Sequence, residues 1–171
     1  MMMKFRKMHH GASGAALTAV EDERFTQLGR FLASSKVDEI PQLWNVLVGG
    51  MSLVGPRPED ERFVGLHREE FARILTVRPG ITGLSQLAFA REAEILDEAN
   101  RTDDYTQRIL PQKVRLDCFY ADHRSLRMNV SILFWTVVAV ILRLDVAVNR
   151  ANGRLGIRAR PALSTTAAEN R

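Results

Sequence analysis

Apolar residues recur at three- and four-residue intervals along much of this chain. Val37, Ile40, Leu43, Trp44 and Leu47 keep that spacing, which predicts a helix with one buried face. Pro41 falls in its first turn, where a missing N–H has no intrahelical partner to lose. Ser35 and Asp38 stand at the spacing of a capping box, so Asp38 and Glu39 are expected in the first turn. Gly49 and Gly50 end the helix. Upstream, residues 21–34 read as a helix with Phe25, Leu28 and Leu32 on one face. Downstream, residues 59–75 form a third, with Phe63, Leu66, Phe71, Ile74 and Leu75 as its apolar positions.

Strand signals are few: residues 4–8, and residues 81–89 after the Pro79-Gly80 turn. Residues 91–107 mix acids with arginines and read as a surface helix plus loop. Pro111 opens a helix running to about His123, with Val114, Asp117, Cys118 and Ala121 sharing faces. Residues 130–142 are almost wholly apolar. They are fewer than the roughly 17–25 needed to span a bilayer, so they form a core helix or one lying in a membrane interface. Trp135 and Arg143 favour the second. The sum is an α+β, mostly helical, single small domain with a few short strands and amphipathic interfacial helices. Its expected extent is residues 1–145, with a basic, disordered tail over 146–171.

At 171 residues, 46% hydrophobic and 26% charged, the chain is long enough for a real core and ordinary in composition. Cys118 is the single cysteine, which excludes an internal disulfide and suits a reducing compartment. It lies in an apolar helical pattern and reads as a buried structural thiol. No cysteine or histidine stands at metal-ligand spacing, and His9-His10 carries no chemistry. The net charge of +4 is unevenly placed. From residue 143 onward six arginines face only Asp145 and Glu169, so the tail carries the whole excess. Basic charge beside an apolar helix suits an anionic membrane surface. Nucleic acid is disfavoured because no aromatics are interleaved with those arginines.

Two motifs bear on chemistry. Acids in a first turn commonly do no more than offset the helix dipole, worth about 0.3–1 kcal/mol. Here they precede Gly55-Pro56-Arg57-Pro58, a stiff turn that fixes one guanidinium. Carboxylates beside a fixed Arg suit phosphate and metal chemistry. Composition alone leaves the two readings open.

The stretch from Asp38-Glu39 through Ile40-Pro41-Gln42-Leu43 and Asn45 to Met51-Ser52-Leu53-Val54-Gly55-Pro56-Arg57-Pro58 resembles the core motif of the bacterial sugar transferases. These are monotopic polyprenyl-phosphate phosphoglycosyl transferases, of the undecaprenyl-phosphate sugar phosphotransferase type. Lys4-Phe5-Arg6-Lys7-Met8 resembles their Lys-Phe-Arg strand. Asp22, Arg24, Thr26 and Gly29 match an Asp-x-Arg-x-Thr-x-x-Gly segment, and residues 78–86 match a Pro-Gly-Ile-Thr-Gly loop. Leu110-Pro111-Gln112-Lys113 and Asp117-x-x-Tyr120 also fit.

The resemblance implies transfer of a phosphosugar from a UDP-sugar to polyprenyl phosphate, a membrane step of exopolysaccharide, O-antigen or glycoconjugate synthesis. It implies Asp38 as covalent nucleophile and Glu39 as its catalytic partner, both as Mg²⁺ ligands. Arg57, Lys4, Arg6, Arg24 and Gln86 become phosphate or substrate contacts. The expected partners are UDP-sugar, polyprenyl phosphate and the cytoplasmic face of the cell membrane, without nucleic acid and with a homodimer left open. Two departures stand out: the apolar hairpin that the family carries ahead of its Lys-Phe-Arg strand is not among these residues, and Ala33 replaces a family Arg, with Lys36 the nearest substitute. Both keep a competing reading open, a non-catalytic remnant that binds nucleotide sugar or a membrane-assembly partner. Without the hairpin, delivery of the lipid phosphate is expected to be the impaired half of the reaction.

Overall fold

The computed structural model describes residues 2–12, 23–35, 37–90, 96, 100–142, 144–149 and 152–157. Asp22, Lys36, Arg143, most of residues 91–99 and the final residues 158–171 lie outside it. The described chain is mostly helical with two small sheets, as the periodicity predicts.

The organising element is helix α7, Leu110–His123, which lies between two apolar clusters. Val114 and Cys118 pack with Phe63, Phe71, Ile74, Tyr105 and Ile109 on one side. Leu116 and Tyr120 pack with Val54, Val77, Leu84, Leu87 and Ile132 on the other. A helix buried on two sides cannot show a single apolar stripe. Short helices Glu61–Val64 (α3) and Arg68–Ile74 (α4) serve the first cluster, and the polar helix Arg101–Asp104 (α6) leads into it without a buried residue of its own. Leu84–Ala88 (α5) and Leu126–Leu142 (α8) serve the second. Between α6 and α7 the chain makes a π turn, Tyr105–Ile109. Pro111 has no N–H for the carbonyl four residues before it, and the helix loosens there.

Two parallel strands, Ser52–Val54 (β1) and Gly80–Thr82 (β2), pair Ser52 with Gly80 and Val54 with Thr82. The pairing continues past β1: Gly55 N donates to Thr82 O at 2.8 Å and Gly80 N donates to Pro56 O at 2.9 Å. Glycine is required at this crossing, because a Cβ on Gly80 would lie 2.1 Å from Gly55 N. A second pair, Val146–Val148 (β3) and Leu155–Ile157 (β4), is an antiparallel hairpin turned through Gly153 at φ +65.

Several expectations are corrected. Residues 4–8 are extended but form no strand ladder, only an isolated bridge from Met8 to Phe25. The upstream helix is Gln27–Ser35 (α1); Phe25 precedes it and is buried, while Leu28 is exposed. The Ser35 hydroxyl donates back to Phe31 O at 2.7 Å, so it closes α1 rather than capping the turn at Asp38. Residues 59–75 break into α3 and α4, leaving Leu66 and Leu75 exposed. Residues 84–88 are helix, not strand. The start of the expected disordered tail is the β3–β4 hairpin. Within the polar run 91–107, Tyr105 is fully buried.

The central stretch is inverted relative to expectation. Val37–Glu39 is a single 3₁₀ turn, and Pro41 caps a short helix, Gln42–Leu47 (α2). Its buried members are Asp38 and Gln42, whereas Ile40, Leu43, Trp44 (60% exposed) and Leu47 (78%) face outward. Periodicity marks a face but cannot say what covers it. Gly49 ends α2 at φ +79, as expected.

Candidate active site

The extended segment 2–8 runs beside the 3₁₀ turn and positions two lysines. Phe5 N donates to Asp38 O at 3.0 Å, and Met3 N donates to Asn45 Oδ1 at 3.0 Å. Downstream, Lys7 O accepts from Thr26 N at 3.1 Å, and Thr26 Oγ1 accepts from Gly29 N at 2.9 Å. Gly29 is needed because a Cβ there would lie 1.8 Å from Lys7 O. The Thr-x-x-Gly motif is therefore a seat for the Lys7 backbone at the start of α1.

Four sequence-predicted residues meet here. Asp38 is 2% exposed, and its Oδ2 lies 3.2 Å from Lys7 Nζ. Glu39 Oε1 lies 2.5 Å from an Arg57 guanidinium nitrogen and 3.6 Å from Lys4 Nζ. The carboxylates form the inner layer and the cations the outer one. These five side chains carry three positive charges against two negative, a local excess that favours an anion. Burial, and next the neighbouring Arg57, hold the Lys4 ammonium below its usual pKa; Glu39 and Asp38 pull it back up.

The other predicted contacts are Arg6, Arg24 and Gln86. Arg6 is exposed, and among the described residues it reaches neither carboxylate. Arg24 is half-buried beside the Met8–Phe25 bridge, its carbonyl accepting from His9 N at 2.9 Å. Gln86 lies behind the Gly55 turn: its Oε1 would be 2.6 Å from a Cβ on Gly83, and its Nε2 is buried without a hydrogen-bond partner. Ala33 lies in α1. Lys7 is the contact that sequence reasoning missed. On a regular strand, residues three apart point to opposite faces, which hid the pairing of Lys7 with Lys4.

Behind the Arg57 turn lies a second polar group. The Tyr105 hydroxyl donates to Glu59 Oε2 at 2.8 Å, and Lys113 Nζ lies 3.0 Å from that hydroxyl and 3.4 Å from Glu59 Oε2. One turn along α7, burial pushes the Asp117 carboxyl up to about 7, against the opposing pull of a Ser85 hydrogen bond and Lys113. The Tyr120 hydroxyl lies 3.1 Å from Val54 O, fixing the end of β1. The i, i+4 spacing of Lys113 and Asp117 was the available sign that both face one place.

Among the described residues, no group of three or more His, Cys, Asp or Glu side chains is arranged to hold a metal. Two adjacent carboxylates are nonetheless the usual protein share of a Mg²⁺ site that substrate phosphates complete. Asp38 and Glu39 fit that limited role.

The family described as Bacterial sugar transferase matches residues 1–143. The chain is 32% identical over 145 residues to the UDP-glucose:undecaprenyl-phosphate glucose-1-phosphate transferase of Caulobacter vibrioides, covering 82% of this chain and 51% of that protein. It is 37% identical over 145 residues to the undecaprenyl-phosphate glucose phosphotransferase of Komagataeibacter xylinus, covering 80% and 25%. It is also 36% identical over 151 residues to the exopolysaccharide production protein PSS of Rhizobium leguminosarum bv. phaseoli, covering 82% and 70%. The chain thus spans a quarter to about half of the first two relatives and most of the third. By the family match and these identities, the chain belongs to the bacterial sugar transferase family.

Proposed function

We propose that this domain transfers a sugar phosphate from a nucleoside diphosphate sugar, most simply a UDP-sugar, to a polyprenyl phosphate. The observation that carries the reading is the buried Asp38 and partly buried Glu39 beneath Lys4, Lys7 and Arg57. Two of the relatives are named for undecaprenyl phosphate, and one for UDP-glucose as well.

In the proposed sequence, the donor's diphosphate meets the outer cations first. Arg57 offers a planar fork suited to two phosphate oxygens, and Lys4 and Lys7 swing outward, uncovering the carboxylates. An Asp38 oxygen attacks the phosphorus that carries the sugar. The new Asp–O–P bond forms as the bridging P–O bond breaks, and the nucleoside monophosphate leaves with that bond's electron pair. An oxygen of the polyprenyl phosphate then attacks the same phosphorus, and Asp38 is restored as carboxylate. Splitting one displacement into two is the advantage of a covalent nucleophile. Mg²⁺ would be held by Asp38, Glu39 and donor phosphate oxygens, and when bound it supplies charge neutralisation.

The second acceptor is a lipid, which bears on the exposed apolar face. Among the described residues no helix is long and apolar enough to cross a membrane. Leu43, Trp44 and Leu47 on α2, with Val130, Phe134, Val137 and Ile141 on α8, are exposed instead. We propose that these faces seat the domain peripherally on a cytoplasmic membrane surface. α2 begins three residues after Glu39, so its seating would bring the nucleophile near headgroup depth.

The test is a single-turnover experiment with radiolabelled UDP-sugar and Mg²⁺. Labelled protein should form in the parent, discharge onto added polyprenyl phosphate, and be absent in Asp38→Asn. Label that persists in Asp38→Asn would sink the nucleophile assignment. UDP binding without any label would instead favour a non-catalytic binding module, the reading that Ala33 supports.

A further inference from the structure

Arg57 is held at its head and at both ends of its turn. The head meets Glu39. The near end of the turn is clamped to β2 through Gly55 N and Pro56 O. The far end, two residues after Arg57, is Glu59. This carboxylate is mostly buried and is met by Tyr105, a member of the first apolar cluster, and by Lys113. Tyr105 is fully buried, and its ring also lies 5.1 Å from Lys113 Nζ.

Burying such a pair is costly unless each charge is matched and hydrogen-bonded. An apolar trio of similar volume would serve the core as well. The geometry is better explained by position: Pro56 and Pro58 make the turn a stiff arm that an anchor at its far end can aim. We propose that Glu59, Tyr105 and Lys113 are positioning residues that anchor the rear of the Arg57 turn and so aim its guanidinium at the donor's diphosphate. The inference rests on the proposed function for what Arg57 grips, but not for the anchoring itself.

This anchor runs from the phosphate site to the π turn. Tyr105 opens that turn, and Lys113 lies in the first turn of α7, eight residues further on. The local widening of the helix keeps the hydroxyl and the ammonium on one carboxylate across eight residues.

Two readouts on the full chain test this. The first needs no substrate: NMR of the Arg57 guanidinium should show restricted rotation in the parent and faster rotation in Glu59→Gln, where the Glu39 contact alone remains. An unchanged Arg57 signal in Glu59→Gln overturns the proposal. The second is calorimetric binding of UDP with Mg²⁺. Glu59→Gln should bind on the order of tenfold to a hundredfold more weakly, the scale of a roughly 1 Å misplacement. Against an Arg57→Ala background the same change should add nothing; an undiminished effect there overturns the proposal too. Should Glu59→Gln fold poorly, Tyr105→Phe removes one hydroxyl and takes its place in both readouts. A parent that binds no UDP would count against the proposed function, while the Arg57 signal still decides the anchor.

Discussion

Gly29→Ala is the sharpest test of how the site is held. In an exposed helix, alanine gains about 1 kcal/mol over glycine in propensity, so composition alone predicts stabilisation. The structure predicts the opposite. The new Cβ would lie 1.8 Å from Lys7 O and 2.8 Å from Thr26 Oγ1. A flexible side chain yields cheaply, but Lys7 O is backbone and already accepts from Thr26 N. Reaching ordinary contact moves the segment by more than an ångström. Overpacking of this kind costs about 1–3 kcal/mol, and a backbone clash this close sits at the upper end, so a net loss of about 1–2 kcal/mol is expected. For a chain of this size that lowers Tm by roughly 2–8 °C. The functional loss should be larger than the stability loss, since moving Lys7 breaks its 3.2 Å contact with Asp38. Circular dichroism melting and the labelling assay, run well below Tm, separate the two. A variant as stable as the parent that labels at the parent rate would refute the seat.

The remaining predictions each rest on a single group. Glu39→Gln should raise the Mg²⁺ concentration needed for labelling while leaving some turnover at saturation; an unchanged Mg²⁺ dependence would remove Glu39 from the proposed metal site. Arg57→Lys keeps the charge but loses the fork, and should weaken UDP binding several-fold; parent-like affinity would show that charge alone suffices. Leu47→Glu should cut partition onto anionic vesicles about tenfold or more, since burying a leucine is worth about 1.5–3 kcal/mol, and equal partition would move the membrane face elsewhere. Asp117 titrates near 7 when folded against 3.8 unfolded, so the folded state holds the extra proton between those values. Its contribution to stability is full below about pH 4 and falls as pH rises to about 7, by at most about 1.4 kcal/mol per pH unit. Urea titrations of the parent and Asp117→Asn across pH 4–8 should differ by that slope, and parallel curves would contradict it.

Much of the site was legible because its motifs are local. Asp38, Glu39 and Arg57 lie within 20 residues of one another, and the stiff Gly-Pro-Arg-Pro turn leaves the guanidinium few places to go. Helix α7 was legible from Pro111, and the shortage of strands from the scarcity of alternation. What failed was whatever depended on surroundings. Spacing placed Leu43, Trp44 and Leu47 on one face correctly but could not show that the face is uncovered. Tyr105 lay hidden in a run of acids and arginines, where one aromatic gives no periodicity. Glu59 read as the first residue of a helix, while its actual role depends on Lys113, 54 positions away.

The parallel crossing of Gly55 and Gly80 has a consequence for the order in which this protein comes into being. The turn bearing Arg57 is bonded to residues some 25 positions further along the chain, so no local folding event can place it. Closing such a loop costs entropy before any contact repays it. A nascent chain that has emerged only through α3 would carry Asp38 and Glu39, yet the guanidinium would be unplaced. The group of Asp38, Glu39 and Arg57 would then be complete only after Gly80 docks on Gly55.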